Sequence, residues 1–242
     1  MRKAIVNTSI IKLLIILSLI SVPRVYLSAQ VFGDPKLIFQ NICGDQMIES
    51  NIDCDDKIDF LFSGYECLSW FEYDSEDDIF YPQKLNLDTN IQDFGFIYSV
   101  DLDSDCDLDI LIVPNGLTFL NQIFWLENRD CGSMFIWHLI DDEKIDGKWS
   151  ISFADMDHDG FLDIVASNKS SSGGYNKLKI YFNSQDQIFT ELIIQEDQFH
   201  DVTTADFDND GDFDIAVTKG HSQELSIFEN LNGLGGNWSE HI

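Results

Sequence analysis

An all-β, repetitive fold follows from three observations on this chain. One acidic pattern occurs four times, each copy runs directly into a short apolar stretch, and helix-period stretches are few. The copies are NIDCDDKIDFLF from Asn51, DLDSDCDLDILI from Asp101, DMDHDGFLDIVA from Asp155 and DFDNDGDFDIAV from Asp206. Their starts lie 50, 54 and 51 residues apart. A period of that size with several short strands in it specifies β-propeller blades or a related β solenoid. The predicted architecture is a β-propeller-type array of about four four-stranded blades, either closed or incomplete and open.

Taken in chain order, the first element is not part of the fold. Arg2 and Lys3 lead into an apolar run at 13–22 whose only polar members are two serines, and the small residues Ser28 and Ala29 follow. That run is about half the roughly 20 residues needed to cross a bilayer. A basic start, a short apolar centre and a small-residue site read as a secretory signal peptide over residues 1–29. Residues 30–242 are then the repeats, and the protein is expected to be secreted. No other stretch is long enough to span a membrane.

Within each repeat the acidic loop comes first. The apolar runs after it, at 60–62, 110–113, 164–166 and 215–217, suit a strand buried on both faces. About ten residues on comes a second strand string: SWFEY, IFWLEN, KIYFN and SIFEN. A third follows in IFYPQKLNL, FIWHLI, IFTELII and NWSEHI. Residues 39–42 resemble one more copy of this last, outer strand ahead of the first loop. One surplus outer strand predicts a further blade beyond the four.

The loops carry the chemistry. Oxygen side chains recur at positions 1, 3, 5 and 9: Asn51, Asp53, Asp55, Asp59; Asp101, Asp103, Asp105, Asp109; Asp155, Asp157, Asp159, Asp163; and Asp206, Asp208, Asp210, Asp214. Carboxylates alternating on a tight turn repel one another unless a cation sits among them. Calcium accepts six to eight oxygens at variable geometry, whereas magnesium demands a near-ideal octahedron, so calcium fits best. Gly160 and Gly211 stand at position 6, where a sharp turn favours positive φ. An EF-hand is excluded, because position 12 is Phe62, Ile112, Ala166 and Val217 rather than glutamate.

A D-x-D-x-D-G-x-x-D loop closing into a strand resembles the FG-GAP and VCBS repeats, which form integrin-α-like propeller blades and many secreted bacterial proteins. Phe94 and Gly95 ahead of the second loop are similar to the FG half of the name, while Val113 and Pro114 replace the GAP half. The resemblance covers residues 39–242. It implies that the sixteen side chains above hold up to four calcium ions, with the carbonyl of position 7 added. The third and fourth loops match the pattern fully. The second has Cys106 at the glycine position. The first has neutral Asn51, Asp56 for glycine and Lys57 at position 7, so its site is expected to be weakest or empty.

Composition limits the partners. Against 43 acidic residues stand 14 basic ones, for a formal charge of −29, and four of the basic residues lie before residue 30. Nucleic acid and anionic surfaces are repelled by such a chain. Cys43, Cys54, Cys67, Cys106 and Cys131 are odd in number and show no C-x-x-C, so at most two disulfides form, among 15 possible pairings. The five histidines show no zinc spacing, and His158 is expected to point outward into solvent. No G-x-S-x-G elbow or phosphate-binding glycine loop occurs. The five tryptophans suit blade packing better than a sugar-stacking platform. The expected function is an extracellular binding or adhesion module for protein or glycan, with calcium structural and no enzymatic activity. The alternatives are a structural segment of a longer secreted protein and a propeller-scaffold polysaccharide-degrading enzyme.

Overall fold

The computed structural model describes Gly44 and residues 46–64, 67–83, 85, 94–113, 122–142, 147–170, 176–184, 186–220 and 222–242. The proposed signal peptide and the surplus strand at 39–42 lie outside the described residues. Among the described residues there are sixteen strands and no helix.

Blade 1 comprises β1 (Gln46–Ser50), β2 (Asp59–Gly64), β3 (Cys67–Asp74) and β4 (Ile79–Gln83). Blade 2 comprises β5 (Phe96–Val100), β6 (Asp109–Val113), β7 (Ile123–Arg129) and β8 (Met134–Asp141). Blade 3 follows with β9 (Gly147–Ala154), β10 (Asp163–Ser170), β11 (Asn176–Phe182) and β12 (Thr190–Asp197). Blade 4 ends the array with β13 (Phe199–Ala205), β14 (Asp214–Lys219), β15 (Glu224–Asn230) and β16 (Trp238–His241). Each blade is an antiparallel meander whose strands pair in chain order, and the four sheets do not close into a ring. Every acidic loop joins the first strand of its blade to the second. The three strand strings expected after each loop are the second, third and fourth strands.

The core lies between blades rather than within them. Strand β6 shows why four apolar residues follow Asp109 without a break. Successive side chains point to opposite faces, so Ile110 and Ile112 pack towards blade 1 with Leu61 and Trp70. Leu111 and Val113 pack towards blade 3 with Trp149 and Ile164. In β10, Ile164 and Ala166 face blade 2 while Val165 faces blade 4. Trp70, Trp125 and Trp149 are buried in these clusters, and Trp137 and Trp238 pack against them half-buried. The tryptophans therefore bind blade to blade.

Polar contacts tie the first strands of neighbouring blades. Gln46 of β1 brackets Ile97 of β5, donating to its carbonyl at 3.1 Å and accepting from its N–H at 2.7 Å. The hydroxyls of Ser50 and Ser99 lie 2.6 Å apart, and those of Ser152 and Thr204 2.8 Å apart. Between blades 2 and 3, the fully buried ammonium of Lys179 sits 2.8 Å from Asp141, which also accepts from the Tyr181 hydroxyl. A buried charge is tolerated only when paired in this way.

Cysteine pairing is now specific. A disulfide joins Cys54 in the first loop to Cys131 in the β7–β8 turn, with Cα atoms 5.4 Å apart, and so links blade 1 to blade 2. Cys67 is also disulfide-bonded, and Cys106 is free and exposed.

Candidate functional site: the acidic loops

Each loop is wound from its own aspartates. In the first, third and fourth loops position 3 accepts the N–H of position 5, and in all four position 5 accepts the N–H of position 7, as in Asp157 to Asp159 and Asp159 to Phe161 at 3.2 and 2.9 Å. Position 1 reaches across the turn, Asp155 Oδ2 accepting from Gly160 at 3.0 Å and Asp206 Oδ2 from Gly211 at 3.2 Å. This winding places positions 4 and 6 in left-handed backbone. Gly160 and Gly211 have φ of 94° and 101°, as the glycines suggested, and Asp56 and Cys106 take 63° and 77° at the same position. Cys54, Ser104, His158 and Asn209 at position 4 also lie at 61–64°. Position 4 shows nothing in sequence, because its residue types share no chemistry.

Position 9 is the hub. Asp59, Asp109, Asp163 and Asp214 are all buried at the start of a second strand. One oxygen of each accepts the N–H of position 2: Ile52, Leu102, Met156 and Phe207 at 3.3, 3.0, 2.8 and 3.0 Å. The other accepts from the end of the third strand: Tyr73, Asn128, Asn183 and Asn230 at 3.1, 2.7, 2.8 and 2.9 Å. Burial, opposed by these donated bonds, pushes Asp109 and Asp163 up to about 7. Asp103 is pushed up to about 6 by burial and then by the neighbouring Asp105 charge.

The structure gathers the predicted ligands unequally. Carboxylate oxygens within 4.8 Å of one another come from Asp101, Asp103 and Asp109; from Asp155, Asp157 and Asp163; and from Asp206, Asp208 and Asp210. Asp105, Asp159 and Asp214 stand outside those groups. In the first loop, the Lys57 ammonium pairs with Asp55 and holds its carboxyl below the usual range. That loop thus neutralises part of its charge itself. In the second loop, Asp101 Oδ1 and Asp103 Oδ1 are buried without a hydrogen-bond partner. Orphaned carboxylate oxygens beside further acids fit a hard cation. The groups are able to hold a metal ion.

His158 is exposed, as expected, and its Nε2 also lies 2.9 Å from Asp212 of the next blade's loop. The Asp212 carboxylate accepts that bond and raises the histidine's proton affinity, because it favours the charged ring. The asparagines that end the third strands were also invisible as functional residues, although the strings FWLEN, IYFN and IFEN display them. Asn128 Nδ2 donates to Ile52 O at 2.8 Å, Asn183 Nδ2 to Leu102 O at 2.6 Å, and Asn230 Nδ2 to Met156 O at 3.1 Å. Each clamps position 2 of the preceding blade's loop. Blade 1 has Tyr73 there, bonded through its hydroxyl to Asp78.

Known proteins agree with this geometry. Residues 101–166 match the FG-GAP-like repeat family, a span running from the second loop into the second strand of blade 3. The chain therefore carries an FG-GAP-like repeat. Among solved structures, it is similar to that of an Agrocybe aegerita lectin described for its specific recognition of non-reducing terminal N-acetylglucosamine. The TM-score is 0.55 at 18% identity, over 79% of this chain and 50% of that one, so this chain spans half the lectin's length. A likeness at that identity speaks for the fold. No curated protein sequence matches.

Proposed function

We propose that this chain is a secreted, calcium-stabilised binding module that recognises glycan through a propeller-type array and catalyses no reaction. The observation that carries the calcium reading is the second loop, where two buried carboxylate oxygens lack partners beside Asp109. Asp101, Asp103 and Asp109 would hold the ion there, Asp155, Asp157 and Asp163 in the third loop, and Asp206, Asp208 and Asp210 in the fourth. The ion supplies positive charge that lets packed carboxylates stay ionised. Its binding energy becomes folding energy, since the unfolded chain has no preformed site. Support for glycan over protein comes from the lectin neighbour. The repeat match and the metal-type loops favour a binding scaffold over an enzyme.

The test is a glycan array containing terminal N-acetylglucosamine, run with millimolar calcium and after chelation, beside native mass spectrometry of the same samples. The expected result is retained ions and glycan binding that disappears on chelation. A protein that retains no ion in calcium refutes the metal assignment. Retained ions with no bound glycan refute the recognition.

A further inference from the structure

We infer that Cys54, Cys131 and Asp107 form a binding site for a thiophilic divalent cation such as zinc, available when the disulfide between the two cysteines is reduced. One sulfur comes from the acidic loop of blade 1, the other from the β7–β8 turn, and the carboxylate from position 7 of the second loop. Their ligand atoms all lie within 4.8 Å of one another. The three aspartate groups described above offer oxygen alone, which suits a hard cation. Two sulfurs beside one carboxylate suit a softer one.

The Asp107 carboxylate marks what the site needs. Asp107 is buried, at 8% exposure. Its Oδ2 accepts the Cys131 N–H at 2.8 Å. Its Oδ1 lies 3.0 Å from Cys54 Sγ and 3.2 Å from Cys131 Sγ, and no other donor among the described residues reaches it. Sulfurs joined to each other carry no hydrogen, so in the disulfide form this anionic oxygen faces two atoms that cannot donate to it. A buried carboxylate oxygen without a donor is costly. Two thiols lessen that cost, and a cation among the three atoms removes it.

Both cysteines are positioned by bonds that do not depend on the disulfide. Asp107 fixes the Cys131 N–H, and Asn128 Oδ1 accepts the next N–H, that of Gly132, at 2.7 Å. Just after Cys54, the Asp55 N–H is held by Asn51 and Asp53 at 3.1 and 3.2 Å. Reduction therefore leaves two thiols facing each other and Asp107. A dithiol reductant supplies two electrons and two protons and leaves as its own disulfide, while the S–S bond breaks and each sulfur gains a proton. Zinc then releases both protons and binds two thiolates and Asp107 Oδ1, with water as the fourth ligand. The distances required are about 2.3 Å to sulfur and about 2.0–2.2 Å to oxygen, and rotation about each cysteine's Cα–Cβ bond opens that space. The three negative charges lose two to the metal, which ties blade 1 to blade 2 as the disulfide did.

The test uses the full chain with Cys106→Ser, which removes the exposed thiol. The protein is reduced with a dithiol, freed of it by anaerobic gel filtration, and titrated with cobalt(II) as a coloured stand-in for zinc. Excess calcium is present to compete for the oxygen sites. The expected result is a thiolate-to-cobalt charge-transfer band that zinc abolishes and that the oxidised protein lacks. Adding Cys54→Ser should remove one cobalt per chain together with its band, and Cys131→Ser is the second variant should the first fold poorly. Asp107→Asn should weaken binding roughly tenfold or more, since losing even an outer partner of a ligand costs about that. Circular dichroism of each reduced protein is read alongside. An unchanged band in the cysteine variants, or unchanged affinity in Asp107→Asn, overturns the inference. So does a reduced chain that binds no cobalt or stays unfolded with it.

Discussion

At the scale of single residues, position 6 of the acidic loops shows how backbone conformation and ligand geometry separate. All four loops hold that residue in left-handed backbone, but only two place glycine there. A side chain in that region costs about 1–2 kcal/mol, and glycine returns roughly 0.5–1 kcal/mol of that through the freedom of the unfolded chain. Cys106→Gly is therefore expected to stabilise the protein by about 0.5–1 kcal/mol, read as a higher denaturant midpoint with unchanged slope. A lower midpoint would mean that the exposed thiol makes a stabilising contact. Sequence displayed this position because glycine announces itself. It displayed the carboxylates of position 9 as ligands, yet not as staples. Their second partners lie 14–20 residues further on, at the ends of strands whose register no spacing in the sequence reveals.

Elements acquire their order from those staples. The third strand ends in a residue whose N–H holds its own blade's position 9. In blades 2, 3 and 4 its amide also holds the previous blade's loop. Removing the amide leaves buried carbonyls without donors, at a cost of about 1–3 kcal/mol. Asn183→Ala should lower stability by that amount, because Leu102 O and Leu162 O both lose a donor. The check is a urea melt, with Tyr73→Phe beside it. That variant keeps the backbone bond to Asp59 and the ring contact with Phe80 and loses only an exposed hydroxyl contact, so it should cost well under half as much. Equal losses would refute the clamp. The strands themselves were legible: after their leading aspartate the second strands carry a run of consecutive apolar residues because alternate side chains serve two interfaces, and that pattern survives in a linear sequence. The interblade disulfide was not legible, since Cys54 and Cys131 are 77 residues apart and meet only after two blades have packed.

For the whole molecule the governing quantity is charge. The chain carries −29 formally, and its packed loops concentrate that charge where burial already opposes it. Without metal, Asp109 and Asp163 are pushed up to about 7 and Asp103 to about 6, first of all by burial, and Asp59 moves in the same direction. Unfolded aspartate titrates near 3.9. Between roughly pH 4 and 7 the folded protein therefore binds more protons than the unfolded chain, so its stability falls as pH rises through that window. A cation bound in the loops would reverse the sign: calcium there would take the place of the protons, with an affinity that grows as the carboxylates ionise. Thermal melts at pH 5, 6, 7 and 8 should thus show the chelated protein losing Tm towards pH 8 while the calcium-loaded protein holds or gains it. General self-repulsion of an acidic chain also lowers Tm with rising pH, so the comparison needs a variant. Asp163→Asn removes one buried titrating group and one proposed metal ligand together. It should flatten the decline in chelator and narrow the gap that calcium opens at pH 8. Parallel curves with and without calcium would show that the loops are neutralised by protons alone.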